Sequence, residues 1–255
     1  MKIGILTDIH ENTAALKNAF RMADLHKVDE LACLGDIAGY DTRFYGHDSR
    51  SAGECVRLVK SNCRWVVAGN HDLHAAGRLP VYTNGFSYPE GWFSMSTSER
   101  KEAASGRVWC YENEAVNDLD AEGSDYLKKI PEFLVPDEVN ASFLFSHYIY
   151  PDLTGSTTQY VKRNHHMGKH WDLMKSQNLT VSFIGHSHNF LAGFAYKNKI
   201  PFINAFHSLP NNIFQLGNEP VVILLPPISG EKGRTGFSII DTDNMKLSII
   251  TTLMH

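Results

Sequence analysis

Five short apolar runs in this chain each stop at an aspartate, an asparagine or a histidine, and that recurrence limits the fold more than any other feature. The runs read IGILTDIH at the start, then ELACLGD, WVVAGNHD, ASFLFSH and TVSFIGHSH. They place Asp8 and His10, Asp36, Asn70 and His71, His147, and His186 and His188 just beyond strand-like segments. A single such end carries little weight, because the chain has 13 histidines, and Asp and Asn beside glycine are ordinary turn residues. Five in one chain are hard to assign to chance turns. In an open α/β sheet, ligands sit beyond the carboxyl ends of the parallel strands. If the five runs are neighbouring strands, these side chains share one crevice.

The pattern around the runs supports such a sheet. Ile3 to Thr7 reads as a buried strand, and Asn12 or Thr13 can cap a helix whose Leu16, Phe20 and Ala23 recur at helical spacing. Glu30 to Leu34 reads as a second strand, Ser51 to Asn62 as a helix, and Arg64 to Ala68 as a third strand. Alternation of this kind argues for a parallel sheet covered by helices. Gly77 to Val108 shows no sustained period and reads as loops with one short helix, Thr97 to Ala104. Glu114 to Lys129 is expected as a helix, Ala141 to Ser146 as a strand, His165 to Gln177 as a helix and Thr180 to Ile184 as a strand. Beyond these, Leu191 to Tyr196, Pro201 to Asn204, Val221 to Leu225, Gly236 to Asp241 and Lys246 to Thr252 read as short strands of a second, largely antiparallel sheet. No repeat or linker interrupts the chain, so residues 1–255 are expected to form one domain.

Bulk properties narrow the partners. At 255 residues, with 43% hydrophobic and 20% charged side chains, the chain can bury a substantial core as an ordinary globule. A formal charge of −4 gives no global reason to expect nucleic acid or an acidic membrane as partner. Cys33, Cys55, Cys63 and Cys110 show no spacing for a zinc cage or a disulfide framework, which favours a reducing compartment. The first apolar segment stops at Asp8, too short for a signal peptide, and no run reaches the roughly 20 apolar residues that span a bilayer. A cytoplasmic protein is the expectation.

Seven nitrogen and oxygen donors are more than one catalytic zinc takes, since such a site has about three protein ligands and a water. They suit two metals sharing a carboxylate. Two divalent ions bring four positive charges against two aspartates, so the crevice keeps an excess positive charge that suits a phosphate oxyanion. Paired ions stabilise attacking and leaving oxygens and acidify a bound water. Imidazole-rich surroundings favour manganese, iron, zinc, cobalt or nickel over magnesium or calcium.

The ordered set DIH, GD, GNHD, SH and GHSH resembles the calcineurin-like metallophosphoesterase superfamily, in particular its small single-domain bacterial and archaeal phosphodiesterases. The resemblance covers Met1 to about Asn189, and the tail LLPPISGEKGRTGFSIID loosely resembles the closing strands of that branch. It implies an α/β fold, a four-layer α-β-β-α sandwich of two mixed sheets flanked by helices. It implies a dinuclear phosphoesterase that hydrolyses small phosphodiesters or phosphomonoesters by attack of a metal-bridging hydroxide. It places Asp8, His10, Asp36 and His188 on one ion, and Asp36, Asn70, His147 and His186 on the other. His186 and His188, two apart on an extended turn, would serve different ions. His71 would bind no metal and would face the substrate, stabilising the transition state or protonating the leaving oxygen.

Two departures stand out. Protein phosphatases of the superfamily carry an Asp and an Arg after the Gly-Asp motif, to partner the catalytic histidine and to grip phosphate. GDIAGYD has Gly39 and Tyr40 there, which argues against a phosphoprotein phosphatase and leaves His71 without an identified partner. SHYIYPD puts Tyr148 where the family has a glycine, and a bulky ring there would shape the pocket. His47, His74 and His207 are candidates for a layer behind the site, the basic cluster Arg163, His165 and His166 for a substrate contact, and the aromatics from Phe86 to Phe93 for a lid. As single features they read more simply as surface, core or loop packing. A non-catalytic scaffold on the same fold and a nuclease are the competing readings. The complete donor set argues against the first, and the absence of a Lys/Arg-rich face against the second.

Overall fold

The computed structural model describes residues 1–139, 141–188, 192–197, 205–209, 212–230 and 234–253. Three parallel strands open the chain, β1 (Lys2–Leu6), β2 (Glu30–Cys33) and β3 (Trp65–Val66), joined by helices α1 (Thr13–Leu25) and α2 (Ala52–Asn62). The short helix α3 (Asn70–Ala75) follows β3, and α4 (Thr97–Ala104) and α5 (Ala121–Lys129) lead to β4 (Phe133–Leu134) and β5 (Phe143–Ser146). Helix α6 (Gly168–Ser176) connects to β6 (Val181–Ile184). Then come β7 (Gly193–Tyr196), β8 (His207–Ser208), β9 (Ile213–Gln215), β10 (Val221–Leu224), β11 (Arg234–Asp241) and β12 (Lys246–Leu253).

Among the described residues these strands make two six-stranded sheets, ordered β3-β2-β1-β11-β12-β9 and β4-β5-β6-β10-β7-β8. Both are mixed: β1 pairs parallel with β2 and antiparallel with β11, and β10 pairs parallel with β6 and antiparallel with β7. The late strands therefore do not form a sheet of their own, as their spacing suggested. They complete both sheets. Period-two patterning shows which face a strand buries but not which sheet it joins. The strand expected at Pro201 to Asn204 lies outside the described residues.

Alternation along each strand builds the layers. Ile3 and Ile5 of β1, Phe143 and Phe145 of β5, Val181 and Phe183 of β6, and Val221 and Ile223 of β10 meet between the two sheets. Leu6 and Cys33 face α1, α2 and α5 on one outer side. Leu144, Ile184, Val222 and Leu224 face Trp171 and Met174 of α6 on the other. A four-layer α-β-β-α sandwich results.

Local capping decides where one expected helix starts. The helix expected from Glu114 begins only at Ala121, because Asp120 accepts the Gly123 N–H at 2.7 Å and caps it there. Upstream, the Asp118 carboxylate is taken by Ser51 Oγ at 2.6 Å and by the Gly53 N–H at 3.0 Å, at the start of α2. Helix α4 stands as expected, fixed by a capping box between Ser96 and Glu99. Among the described residues no helix is long and apolar enough to cross a membrane.

Candidate metal centre

The carboxyl ends of five strands, three from one sheet and two from the other, converge on one buried cluster. Contacts across the two sheets lock them together there: the His186 N–H donates to Asp8 Oδ2 at 3.1 Å, and the Ser229 N–H to Asp8 O at 2.9 Å. The close approach requires a glycine between β6 and His186. A Cβ on Gly185 would lie 2.0 Å from Thr7 Oγ1.

Asp8, His10, Asp36, His186 and His188 all adopt positive φ, between 45° and 67°. Non-glycine residues rarely do so, at a cost of about 1–3 kcal/mol each. The turn carrying His186 and His188 is thus left-handed, not extended as the sequence suggested. This conformation folds the chain back so that donors near one another in sequence reach one centre.

The donor atoms fall into two overlapping groups, each within 4.8 Å: Asp8, His10, Asp36 and His188, and Asp36, His147 and His186. His188 Nε2 lies 3.1 Å from Asp8 Oδ1, and His147 Nε2 lies 3.0 Å from Asp36 Oδ2. His10 Nε2 is 3.9 Å from Asp8 Oδ1 and 3.8 Å from Asp36 Oδ2. Asn70 lies against the second group, its Oδ1 3.1 Å from His186 Nδ1.

The far ring nitrogens are occupied, which aims the near ones inward. His10 Nδ1 contacts Gly39 O at 2.7 Å, His147 Nδ1 contacts Leu34 O at 2.7 Å, and His188 Nδ1 contacts the Tyr45 hydroxyl at 3.0 Å. Partners of this kind fix tautomer and ring orientation in metal sites. Asp8 Oδ1, Asp36 Oδ2 and His147 Nε2 are buried and crowd together, with no well-aligned hydrogen bond to any of them. Three such polar atoms aimed at one point are costly in a native interior, and a cation would satisfy all three. The residues fit divalent metal.

Electrostatics are those of a preformed anionic nest. Burial opposes ionisation of Asp8 and Asp36, but the surrounding histidines outweigh it and hold both carboxyls below the usual range. Burial likewise disfavours a charged His147, yet Asp36 and Asp8 raise it to about 9. His186 is pushed down to about 3 by burial and by His147.

His71 stands beside the cluster with its own supports. Its backbone N–H donates to Asp36 Oδ1 at 2.9 Å, and its ring meets the edge of Tyr111 with centroids 5.2 Å apart. Gly39 leaves room for it: with φ at +88°, a Cβ there would lie 2.5 Å from His71 Nδ1. That nitrogen is bonded to the carboxylate of Glu114. Burial opposes the imidazolium, but Glu114 and Asp36 raise His71 to about 10. Glu114 is the partner that sequence reasoning missed, and it lies before α5, in a stretch whose composition predicts helix. Asp72, buried beneath, takes the N–H groups of Ile37, Ala38 and Gly69 at 2.8 to 3.0 Å and ties the Gly-Asp and Gly-Asn-His loops together.

Other candidates fall outside the cluster. Tyr148 packs on His186, centroids 4.5 Å apart, and its hydroxyl accepts the Val161 N–H at 2.8 Å. It is buried behind His186, while Tyr160 lines the cavity above the cluster. His74 stacks on Tyr111, which holds Asn70 through its hydroxyl at 3.2 Å. His47 packs edge-on to Tyr40, and His207 lies against Phe194. His165 and His166 pair with each other, centroids 4.4 Å apart, and neither they nor Arg163 line that cavity. Phe86 and Trp92 are buried together with Ala104 and Val108, so this segment is packed loop and not a lid.

Comparison with known proteins agrees with this geometry. An uncharacterized protein of Methanocaldococcus jannaschii is 23% identical over 267 residues, spanning 97% of this chain and 86% of its own. A crystal structure of a metallophosphoesterase from Sphaerobacter thermophilus superposes with a TM-score of 0.70 at 20% identity, covering 100% of this chain and 90% of its own. A hypothetical protein from Pyrococcus horikoshii does so at 0.59 and 14% identity, covering 100% and 88%. At these identities the two structures show a shared fold. The family model of the calcineurin-like phosphoesterases matches residues 1–190, and with most of the length matched the chain belongs to that family.

Proposed function

We propose that this chain is a dinuclear metal-dependent phosphoesterase acting on small phosphodiesters or phosphomonoesters. The observation that carries the reading is the pair of donor groups sharing Asp36, with Asp8 Oδ1, Asp36 Oδ2 and His147 Nε2 buried without a well-aligned hydrogen bond. Asp8, His10, Asp36 and His188 would hold one ion, and Asp36, Asn70, His147 and His186 the other. Manganese, iron, zinc, cobalt and nickel suit such imidazole-rich sets. When bound, the ions supply Lewis-acid charge to the phosphoryl oxygens and lower the pKa of the attacking water.

The chain's own residues then divide the remaining work. Two aspartates neutralise only half the charge of two divalent ions, so the crevice attracts a phosphate oxyanion. Glu114 takes His71 Nδ1, which leaves Nε2 as the nitrogen able to donate to a substrate in the adjoining cavity. His71 protonates the leaving oxygen, a role typically worth about 10²–10⁴-fold in rate. Strained backbone at five donor positions has no use in a scaffold that has abandoned chemistry. The four free thiols fit a reducing compartment, the cytoplasm.

Nitrophenyl mono- and diesters, assayed after chelation and again with manganese added, test the reading. Turnover should vanish and return, and His71→Ala should keep its metals while losing turnover of poor leaving groups. A metal-loaded protein that hydrolyses no ester would overturn it.

A further inference from the structure

The cavity above the cluster holds about 470 Å³. This lies within the range of small-molecule pockets, roughly 300–1,000 Å³, and leaves room beside a phosphoryl group for a sizeable substituent. Its lining is aromatic in a directional way. Tyr160 stacks on His186 with centroids 5.6 Å apart and planes 23° apart, and Trp109 meets Tyr160 at 5.9 Å. A line of rings thus runs along the cavity wall from a proposed metal ligand. Trp109 is fixed in orientation, its indole N–H donating to Gly155 O at 3.0 Å. Phe44 lines the same cavity, with the Arg43 guanidinium 5.0 Å from its ring centroid, and Phe44 and Tyr160 leave 54% and 48% of their surface exposed.

Charge in the lining points the same way. Among the described residues lining the cavity, Arg43 is the sole lysine or arginine. Its guanidinium is gripped by Asp41, at 3.0 Å from Nε and 2.7 Å from Nη2. The other charged side chains there, outside the donor groups, are Asp41 itself, Glu112, ion-paired with Lys101, and the His71 imidazolium, which is held by Glu114 beside the centre. A second phosphate on a substrate would find no spare cation away from the centre and would face carboxylates.

We propose that the ester accepted here carries a single phosphoryl group and a planar, uncharged ring system of nucleoside size that stacks along Phe44, Trp109 and Tyr160. This rests on the phosphoesterase reading, and it excludes polyphosphates and polynucleotides as preferred substrates. Stacking of a base on an aromatic side chain contributes enough to raise specificity about 5- to 150-fold.

Two matched pairs keep the kind of leaving oxygen constant and vary the ring: adenosine monophosphate against ribose 5-phosphate, both leaving through a sugar hydroxyl oxygen, and a nucleoside p-nitrophenyl phosphate diester against methyl p-nitrophenyl phosphate, both leaving as p-nitrophenolate. With manganese-loaded protein the nucleoside member of the hydrolysed pair should lead in kcat/KM by that factor, chiefly through KM. Phe44→Ala, a change at an exposed ring, should shrink the ratio, and Trp109→Leu should shrink it further. A nucleoside with phosphates on two ribose hydroxyls should inhibit no better than the monophosphate. Separately, adenosine titrated into metal-free protein should shift the Trp109 indole N–H resonance, and ribose should not. Equal kcat/KM within a hydrolysed pair, or an unmoved indole at millimolar adenosine, overturns the substrate class. Absence of turnover on every ester falls on the phosphoesterase reading instead, and the indole resonance still decides the ring.

Discussion

Replacing Glu114 separates orientation and charge at His71 from metal binding. Glu114 is 9% exposed and His71 18%, so their contact is poorly screened by solvent. His71 stands at about 10 against an ordinary 6.5. That displacement corresponds to about 5 kcal/mol at about 1.4 kcal/mol per decade. Asp36 shares in it, and bound ions would neutralise Asp36, which leaves Glu114 as the carboxylate that sustains the imidazolium. A charge-assisted hydrogen bond contributes about 1.5–3 kcal/mol and a neutral one about 0.5–1.5. Glu114→Gln keeps shape and an acceptor oxygen but removes the charge, so it should cost about 1–2 kcal/mol, or about 5- to 30-fold in kcat. Glu114→Ala removes both and should cost about 10- to 150-fold.

The assay is kcat on an alkyl ester and on its p-nitrophenyl counterpart, with elemental analysis of each variant. Loss should be concentrated on the alkyl ester, whose leaving oxygen needs a proton, and metal content should not change because Glu114 is outside both donor groups. Turnover of the alkyl ester within twofold of the parent would refute the argument. Metal loss would show that Glu114 supports the cluster and not the acid.

Asp36→Asn should lower metal content more than a change at any other donor, since Asp36 belongs to both groups; unchanged content by elemental analysis removes its bridging role. After chelation, manganese, cobalt or nickel should restore activity and magnesium poorly, because four imidazoles surround the centre; magnesium as best activator would mean the histidines are wrongly assigned. His147, raised to about 9, is protonated at neutral pH in the metal-free protein. An ion must displace that proton, so affinity should rise with pH up to about 9 and then level off, with proton uptake by buffer measured calorimetrically; pH-independent affinity contradicts this. His170 is buried and neutral, its Nδ1 accepting the Tyr150 N–H at 3.0 Å, and burial pushes it down to about 4. The unfolded chain therefore binds a proton that the fold refuses, so stability present above pH 6.5 is lost as pH falls toward 4, by up to about 3 kcal/mol. His170→Gln should flatten that slope in urea titrations, and an unaltered slope would clear His170 of the effect.

The candidate site was legible because each donor follows directly on an apolar run, and strand ends are where an α/β sheet gathers side chains. Glu114 was not legible, for a physical reason. Its stretch has helical composition, and a glutamate in a helix reads as solvated surface. The Asp118 and Asp120 carboxylates that stop the helix from starting early are visible in NDLDAEGSDY, but only the structure shows that one of them is spent on α2. Sheet membership was equally hidden, because Val221 to Leu224 would read alike in either sheet. Tyr160 carried no signal at all, since its place at the cavity wall depends on a loop without periodicity.

The two halves of the centre come from different sheets. Asp8, Asp36 and Asn70 leave β1, β2 and β3, whereas His147, His186 and His188 leave β5 and β6. The separation of the two halves is therefore set by what lies between the sheets: Ile3, Ile5, Phe143, Phe145, Phe183 and Ile223. Interiors packed this closely transmit a change of one methylene. Left-handed backbone at five donors then fixes direction, as the inter-sheet core fixes distance. Neither device can be had from local sequence preference, which opposes positive φ at Asp and His. The cluster can form only after both sheets have packed, so the strain at its loops is sustained by the core of the whole sandwich and not by the loops themselves.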